Sequence, residues 1–317
     1  MIELLSERGV LSSLAGLLGL LVGSFLNVVI HRLPRMIERG NVVGVVEWFE
    51  DVDAYVDRVV GRAEAAKRTT LKQQLHAAEP AFQALVAALP DENLIGPGSR
   101  CGSCGHPIGP LENVPIVSYL VLRGRCKACH ARISPRYPAI EALTGLLFAG
   151  AAWQFGATGA TLASLVLIGA LVALVFIDAD SMLLPDAITL PLLWIGLLWS
   201  ATGGFVALSD AVWGAAAGYL SLWTVYWAFK LLTGKEGFGY GDFKLLAALG
   251  AWFGWKALLP IILMSAGVGA VVGIALIVTG RREVATKFAF GVYLAPAGLL
   301  MLFAGQRVIE AILPTIA

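Results

Sequence analysis

Eight apolar stretches of roughly membrane-crossing length divide this chain: about Val10 to Ile30, Ala139 to Phe155, Ala160 to Ile177, Ala187 to Thr202, Ala211 to Leu232, Phe243 to Trp255, Ala257 to Val278 and Phe288 to Ala304. Each predicts a helix, because a helix keeps its backbone hydrogen bonds within itself and so tolerates hydrocarbon. The sixth stretch is short and carries Gly250 and Gly254, which predicts a tilted or re-entrant piece, with seven crossings as the fallback count. Between the first two stretches the pattern turns polar. There Val45, Phe49, Val52, Val56, Val59, Ala63 and Ala66 recur at alternating steps of four and three, predicting one long amphipathic helix. A shorter helix is expected around Phe82, Leu85, Val86 and Leu89, ended by Pro90. A packing role is expected for both.

The expected fold class is therefore all-α: a polytopic helical membrane protein of about eight transmembrane helices with a zinc-ribbon-like loop domain in the cytosol. Its expected parts are a first span (1–30), a helical insertion (31–98), a four-cysteine region (99–136) and a transmembrane core (137–317). Composition agrees, since 58% hydrophobic residues, 14% charged residues and a mean hydropathy of +0.77 are too apolar for an ordinary soluble enzyme. Of the 23 Lys and Arg, 14 lie between Arg32 and Arg136, interleaved with acids. No basic tract stands free of acids, so nucleic acid is not an expected partner. The N-terminal residues do not read as a removable signal peptide. His31, Arg32 and Arg35 after the first span, Lys230 and Lys235 after the fifth, and Arg281, Arg282 and Lys287 after the seventh fall on one side, which the positive-inside rule makes cytosolic. Gly19/Gly23, Gly214/Gly218 and Gly269/Gly273 are small-residue pairs suited to close helix approach.

All four cysteines lie in the polar segment, as Cys101-x-x-Cys104 and, after 21 intervening residues, Cys126-x-x-Cys129. Two such knuckles can close a tetrahedral four-thiolate site, and a closed site leaves no position for substrate, so a structural zinc is expected. His106 and His130 lie near the knuckles and are read as surface residues beside four cysteine ligands. His31 and His76 show no recognisable partner and are read as structural.

Carboxylates are costly in a bilayer and mark function by default. Candidates are Asp178, Asp180 and Asp186 in Phe-Ile-Asp178-Ala-Asp180-Ser-Met-Leu-Leu-Pro-Asp186, and Asp242 in Gly239-Tyr-Gly241-Asp242. Asp180 and Asp186 also have an ordinary reading as solvated loop acids, with Asp186 a possible helix cap after Pro185. Asp242 stands out, because Gly239 and Gly241 free the backbone for close approach where the next helix begins. Two carboxylates held together act as acid and base in one pair, one keeping a proton while the other accepts one from water. No His-Glu-x-x-His, Gly-x-Ser-x-Gly or P-loop offers an alternative chemistry. An ion- or proton-coupled transporter is the competing reading, and a non-enzymatic assembly scaffold a third.

The residues resemble the bacterial type IV prepilin peptidases, membrane aspartyl proteases of the Gly-x-Gly-Asp type. The resemblance rests on Gly23-Ser-Phe-Leu-Asn-Val-Val-Ile-His-Arg-Leu-Pro34, the knuckles around Leu111-Glu-Asn-Val-Pro115 and Leu122-Arg-Gly-Arg-Cys126, Ile133-Ser-Pro-Arg-Tyr-Pro138, Asp178-Ala-Asp180 through Asp186, and Gly-Tyr-Gly-Asp242. It implies that Asp178 and Asp242 are catalytic, a choice among the first three aspartates that spacing leaves open. It also implies a multi-pass protein of the bacterial cytoplasmic (inner) membrane, in contact with lipid, whose active site faces the cytosol. The implied substrates are prepilins or pseudopilins with a basic leader and a hydrophobic N-terminal helix. Methylation of the new N-terminus, with S-adenosylmethionine as donor, is implied as well. Arg123 and Arg125 are candidates to meet an acidic residue early in the mature substrate. The stretch from Ile37 to Gly98 is longer than the family pattern leads one to expect.

Overall fold

A computed structural model describes residues 2–60, 64–234, 239–279 and 289–314. Its α-helices are α1 (Ile2–Glu50), α2 (Val52–Val59), α3 (Ala65–Ala88), α4 (Val117–Val121), α5 (Arg136–Phe155), α6 (Gly159–Ser181), α7 (Asp186–Ala201), α8 (Leu208–Thr233), α9 (Tyr240–Phe253), α10 (Leu258–Val278) and α11 (Gly291–Ile312). Each of the eight apolar stretches lies mainly within a helix. Among the described residues four helices are both long and apolar enough to cross a membrane: Glu7–Glu50, Gly159–Ser181, Trp255–Val278 and Gly291–Ile312. Lys235, Arg281, Arg282 and Lys287 of the expected cytosolic charges, and Ala63 of the expected amphipathic helix, lie outside the described residues.

The chain divides into two units, Met1–Ile30 with Arg100–Ala317, and His31–Ser99. In the second, the expected single helix over 45–66 is instead the end of α1, then α2, with Asp51 as the joint (φ −103°, ψ 4°), and Ala66 belongs to α3. Part of the apolar spacing survives the break: Phe49, Val52 and Val56 are buried, while Val45 and Val59 are exposed. The helix expected only near Phe82 runs from Ala65 and passes through Pro80. Asp57 pairs with Lys72 at 2.9 Å, and His76 has the partner the sequence did not disclose, Asp53 at 3.2 Å. Arg32, buried, donates to the carbonyls of Asn93 and Pro97 at 2.7 and 2.6 Å.

In the first unit, small residues set the helix spacing. A Cβ on Gly19 or Gly23 would strike the α5 backbone at Gly145 or Glu141, 2.8 or 2.7 Å away. Gly214 and Gly250 face each other so closely that a methyl on either would overlap the other's backbone, which brings α8 onto α9. Gly269 is buried in α10. Helix α9 has 14 residues. At 1.5 Å rise it reaches only about 21 Å, short of the roughly 30 Å of hydrocarbon. Every residue from Asp242 to Phe253 except Lys244 is buried, as α7, α8 and α11 pack around it. The short apolar stretch is thus an inner helix, and Trp252 pins it by donating from Nε1 to the Leu192 carbonyl at 2.9 Å.

Candidate active site and metal centre

Helix α6 ends at Ser181, and Met182 follows in the left-handed region (φ 54°), its N–H returning to the Asp178 carbonyl at 2.9 Å. This closes the helix one turn after Asp178 and leaves that side chain on the inner face, 3% exposed. Asp242 is the third residue of α9, 5% exposed, and its Oδ2 accepts the Gly239 N–H at 3.1 Å, so the carboxylate holds the helix entry. Across from both lies the start of α11. The Val292 N–H donates to Asp178 Oδ2 at 2.9 Å, and the Gly291 N–H is turned toward both carboxylates. Oδ1 of Asp242 is buried and has no hydrogen-bond partner among the described residues. One buried cluster therefore holds two carboxylates, two backbone donors from α11 and one free acceptor oxygen.

Glycines make the approach possible. A Cβ on Gly291 would sit 2.8 Å from Asp178 Oδ2 and 2.9 Å from Leu184 Cδ1, and one on Gly241 would sit 2.6 Å from Leu184 Cβ. Real side chains do not approach that closely, so a side chain at Gly241 would strike the base of Leu184, and one at Gly291 would push aside the Asp178 carboxylate and the tip of Leu184. Gly239 has no such crowding; it contributes its N–H to Asp242. Gly291 and Val292 were missed from the sequence, since they open an apolar helix far along the chain from either aspartate.

The remaining aspartates are placed differently. Asp180 lies inside α6, not in a loop, and its carboxylate takes a bidentate pair from Arg136 at 2.8 and 2.7 Å. Asp186 does not cap α7; it is that helix's first residue, after Pro185, and binds Lys244 at 2.6 and 2.7 Å. Both are exposed and neutralised by a cation, whereas the described residues offer Asp178 and Asp242 no salt bridge. Burial and pairing thus separate the three neighbouring aspartates.

A third buried carboxylate, Glu141 in α5, accepts the Ile116 N–H at 2.7 Å and ties the loop after the first knuckle to α5.

The two knuckles are built alike. Cys101 N–H bonds the His106 carbonyl and Cys126 N–H bonds the Ala131 carbonyl, both at 2.9 Å, and the fourth residue after each first cysteine has positive φ, Gly105 at 72° and His130 at 59°. The four Sγ atoms lie within 4.8 Å of one another, with Cys101 and Cys129 at 3.8 Å. Tetrahedral zinc with bonds of about 2.3 Å places sulfurs about 3.8 Å apart, so this donor set fits such an ion with shifts of about 1 Å at most. The Ser103 and Cys104 amides pull the Cys101 thiol down to about 6, toward the thiolate a metal binds. Although the His106 amide draws it down, Cys104 is pushed up to about 12 by hydrogen bonding to Cys129, burial and the other thiols. His106 is engaged elsewhere, 3.2 Å from Glu112, and His130 is exposed.

Comparison with known proteins gives one answer along nearly the whole chain. The bacterial peptidase A24 N-terminal domain family matches residues 17–155, and the type IV leader peptidase family matches residues 165–274. A prepilin leader peptidase/N-methyltransferase of Aeromonas hydrophila is 50% identical over 93% of this chain and 91% of its own length. Proteins of the same description from Pseudomonas aeruginosa and Neisseria gonorrhoeae are 47% and 45% identical, covering 92% and 97% of this chain and 90% and 97% of theirs. No solved structure matches. With matches of this extent falling on both the cysteine-bearing segment and the helices that carry the buried aspartates, the chain belongs to the type IV leader peptidase family.

Proposed function

We propose that this protein cleaves the leader from type IV prepilins or pseudopilins at the cytosolic face of the bacterial inner membrane, with Asp178 and Asp242 as its catalytic pair. The family and its relatives make the chain a membrane prepilin peptidase that also methylates the new N-terminus. The observation that carries the site assignment is the burial of Asp178 and Asp242 around Gly291, while Asp180 and Asp186 are exposed and paired to Arg136 and Lys244.

In this reading one carboxylic acid of the pair hydrogen-bonds the scissile carbonyl and the other carboxylate takes a proton from the attacking water. The tetrahedral intermediate then collapses, the C–N bond breaks, and the departing amine leaves with a proton from the pair. The Val292 and Gly291 amides hold Asp178 in place. Gly239 and Gly241 let the chain enter α9 with Asp242 facing its partner. The methyl group for the new amine comes from S-adenosylmethionine.

The substrate is anchored by its own hydrophobic helix and presents its basic leader at the interface, where an extended segment exposes the carbonyl. Arg32 and Arg35 beyond the first span favour a cytosolic placement for that face. The proposed organisation is a first span to residue 30, a helical insertion over 31–98, a zinc-stapled region over 99–136 and a core from 137 onward, with eight helices in the bilayer. Zinc on Cys101, Cys104, Cys126 and Cys129 holds the two knuckles together and takes no part in hydrolysis. The Aeromonas and Pseudomonas relatives are named for peptidase and methyltransferase activity, which gives a transporter no support.

Mass spectrometry of a prepilin incubated with the purified protein and S-adenosylmethionine tests this reading. Loss of the leader mass together with a gain of one methyl group is expected. An uncleaved substrate would refute it.

A further inference from the structure

The arginines of the second knuckle are left over by the mechanism. Arg123, Arg125 and Arg132 line one cleft of about 540 Å³, with Tyr119, Ser134 and Pro135, and no carboxylate lines it. The cleft is held open by its backbone: an antiparallel bridge joins Arg125 to Arg132, and the Ile133 N–H bonds the Gly124 carbonyl at 2.8 Å. Among the described residues none of the three guanidinium groups forms an ion pair, whereas Lys127 beside them is bound to Glu112 at 3.2 Å.

Two further features fix the cleft's setting. Its rim residue Pro135 immediately precedes α5, so the cleft opens where that span helix begins. Next to it, α4 turns apolar side chains outward, with Val117, Leu120 and Val121 at 56, 67 and 75% exposed. Exposed valine and leucine beside unpaired arginine is the pairing that suits an interface, the apolar groups entering the acyl region and the guanidinium groups meeting phosphates. Three cations without a carboxylate also disfavour the sulfonium of a methyl donor.

We propose that this cleft binds the phosphate of an anionic phospholipid and that α4 seats the attached acyl chains, docking the second knuckle on the membrane surface. The reading does not depend on which aspartates are catalytic. Guanidinium groups present planar forks that match phosphate oxygens, which three closely set arginines supply to a single headgroup.

Native mass spectrometry of the full-length protein in detergent tests it, with phosphatidylglycerol and phosphatidylcholine of identical chains as probes. Preferential retention of phosphatidylglycerol is expected. In Arg123→Gln/Arg125→Gln/Arg132→Gln that preference should fall by roughly fivefold for each arginine removed, with the metal content unchanged. Should metal be lost, the Arg→Lys triple variant replaces it and is expected to keep the preference. Val117→Ser/Leu120→Ser/Val121→Ser should weaken both lipids. Equal binding of the two lipids by the unaltered protein would overturn the proposal, as would sn-glycerol 3-phosphate competing as well as the lipid does. A Gln variant that keeps its lipid preference but raises KM only for substrates with an early acidic residue would assign the cleft to the substrate instead.

Discussion

The backbone N–H of Val292 donates to Oδ2 of Asp178 at 2.9 Å, joining the end of α6 to the first turn of α11. The contact links residues 114 positions apart beside Gly291, where a Cβ would sit 2.8 Å from the carboxylate oxygen and push it aside. Gly291→Ala should therefore displace Asp178 and lower the rate of leader release by about a hundredfold, the scale of a misplacement near 1 Å. The rate constant measured in detergent checks this. Gly291→Ala with unaltered turnover would separate the α11 turn from catalysis.

Asp180 and Asp186 make exposed ion pairs with Arg136 and Lys244. Pairs of this kind contribute about 0.2–1 kcal/mol. Asp180→Asn and Asp186→Asn should each change the cleavage rate by less than about fivefold, measured against the same prepilin.

The four thiols cluster within 4.8 Å of one another, close to the spacing a tetrahedral ion requires. Purified protein should carry one zinc per chain by elemental analysis, and Cys101→Ser or Cys126→Ser should lose it. Structural zinc carries folding free energy on the order of 10 kcal/mol. Chelation should accordingly open the region between Arg100 and Arg136 to limited proteolysis. Equal resistance with and without metal would argue against a staple.

Asp57 has its carboxyl held below the ordinary aspartate value, chiefly by its hydrogen bond to Lys72, which together with the charges of Lys72 and Arg68 outweighs the opposing effect of desolvation. A depressed value in the fold means that the stabilisation is present above the unfolded aspartate value and is lost as pH falls through the depressed one. Hydrogen exchange of α2 should quicken across that acid range, and Asp57→Asn should remove the dependence.

Much of this was legible beforehand because it is local. A run of apolar residues specifies a helix by itself, paired Cys-x-x-Cys knuckles bring four thiols together, and Gly-x-Gly-Asp specifies a helix entry built around a carboxylate. What separates Asp178 from Asp180 and Asp186 is not local. Arg136 lies 44 residues from Asp180 and Lys244 lies 58 from Asp186, and only packing brings each pair together. Periodicity within the polar insertion carried the buried face of Phe49, Val52 and Val56 but not the joint at Asp51, where the backbone leaves the helical region without changing the spacing. The inner position of α9 depends on Gly214 meeting Gly250, which the sequence presents only as two small residues in separate apolar stretches.

The central claim is that Asp178 and Asp242 form the working pair. Its most direct measurement is leader release from a prepilin by Asp178→Asn and Asp242→Asn, read by mass spectrometry beside Asp180→Asn at matched protein and zinc content. Release is expected to vanish in the first two and persist in the third. Release at the unaltered rate from either Asp178→Asn or Asp242→Asn would contradict the account.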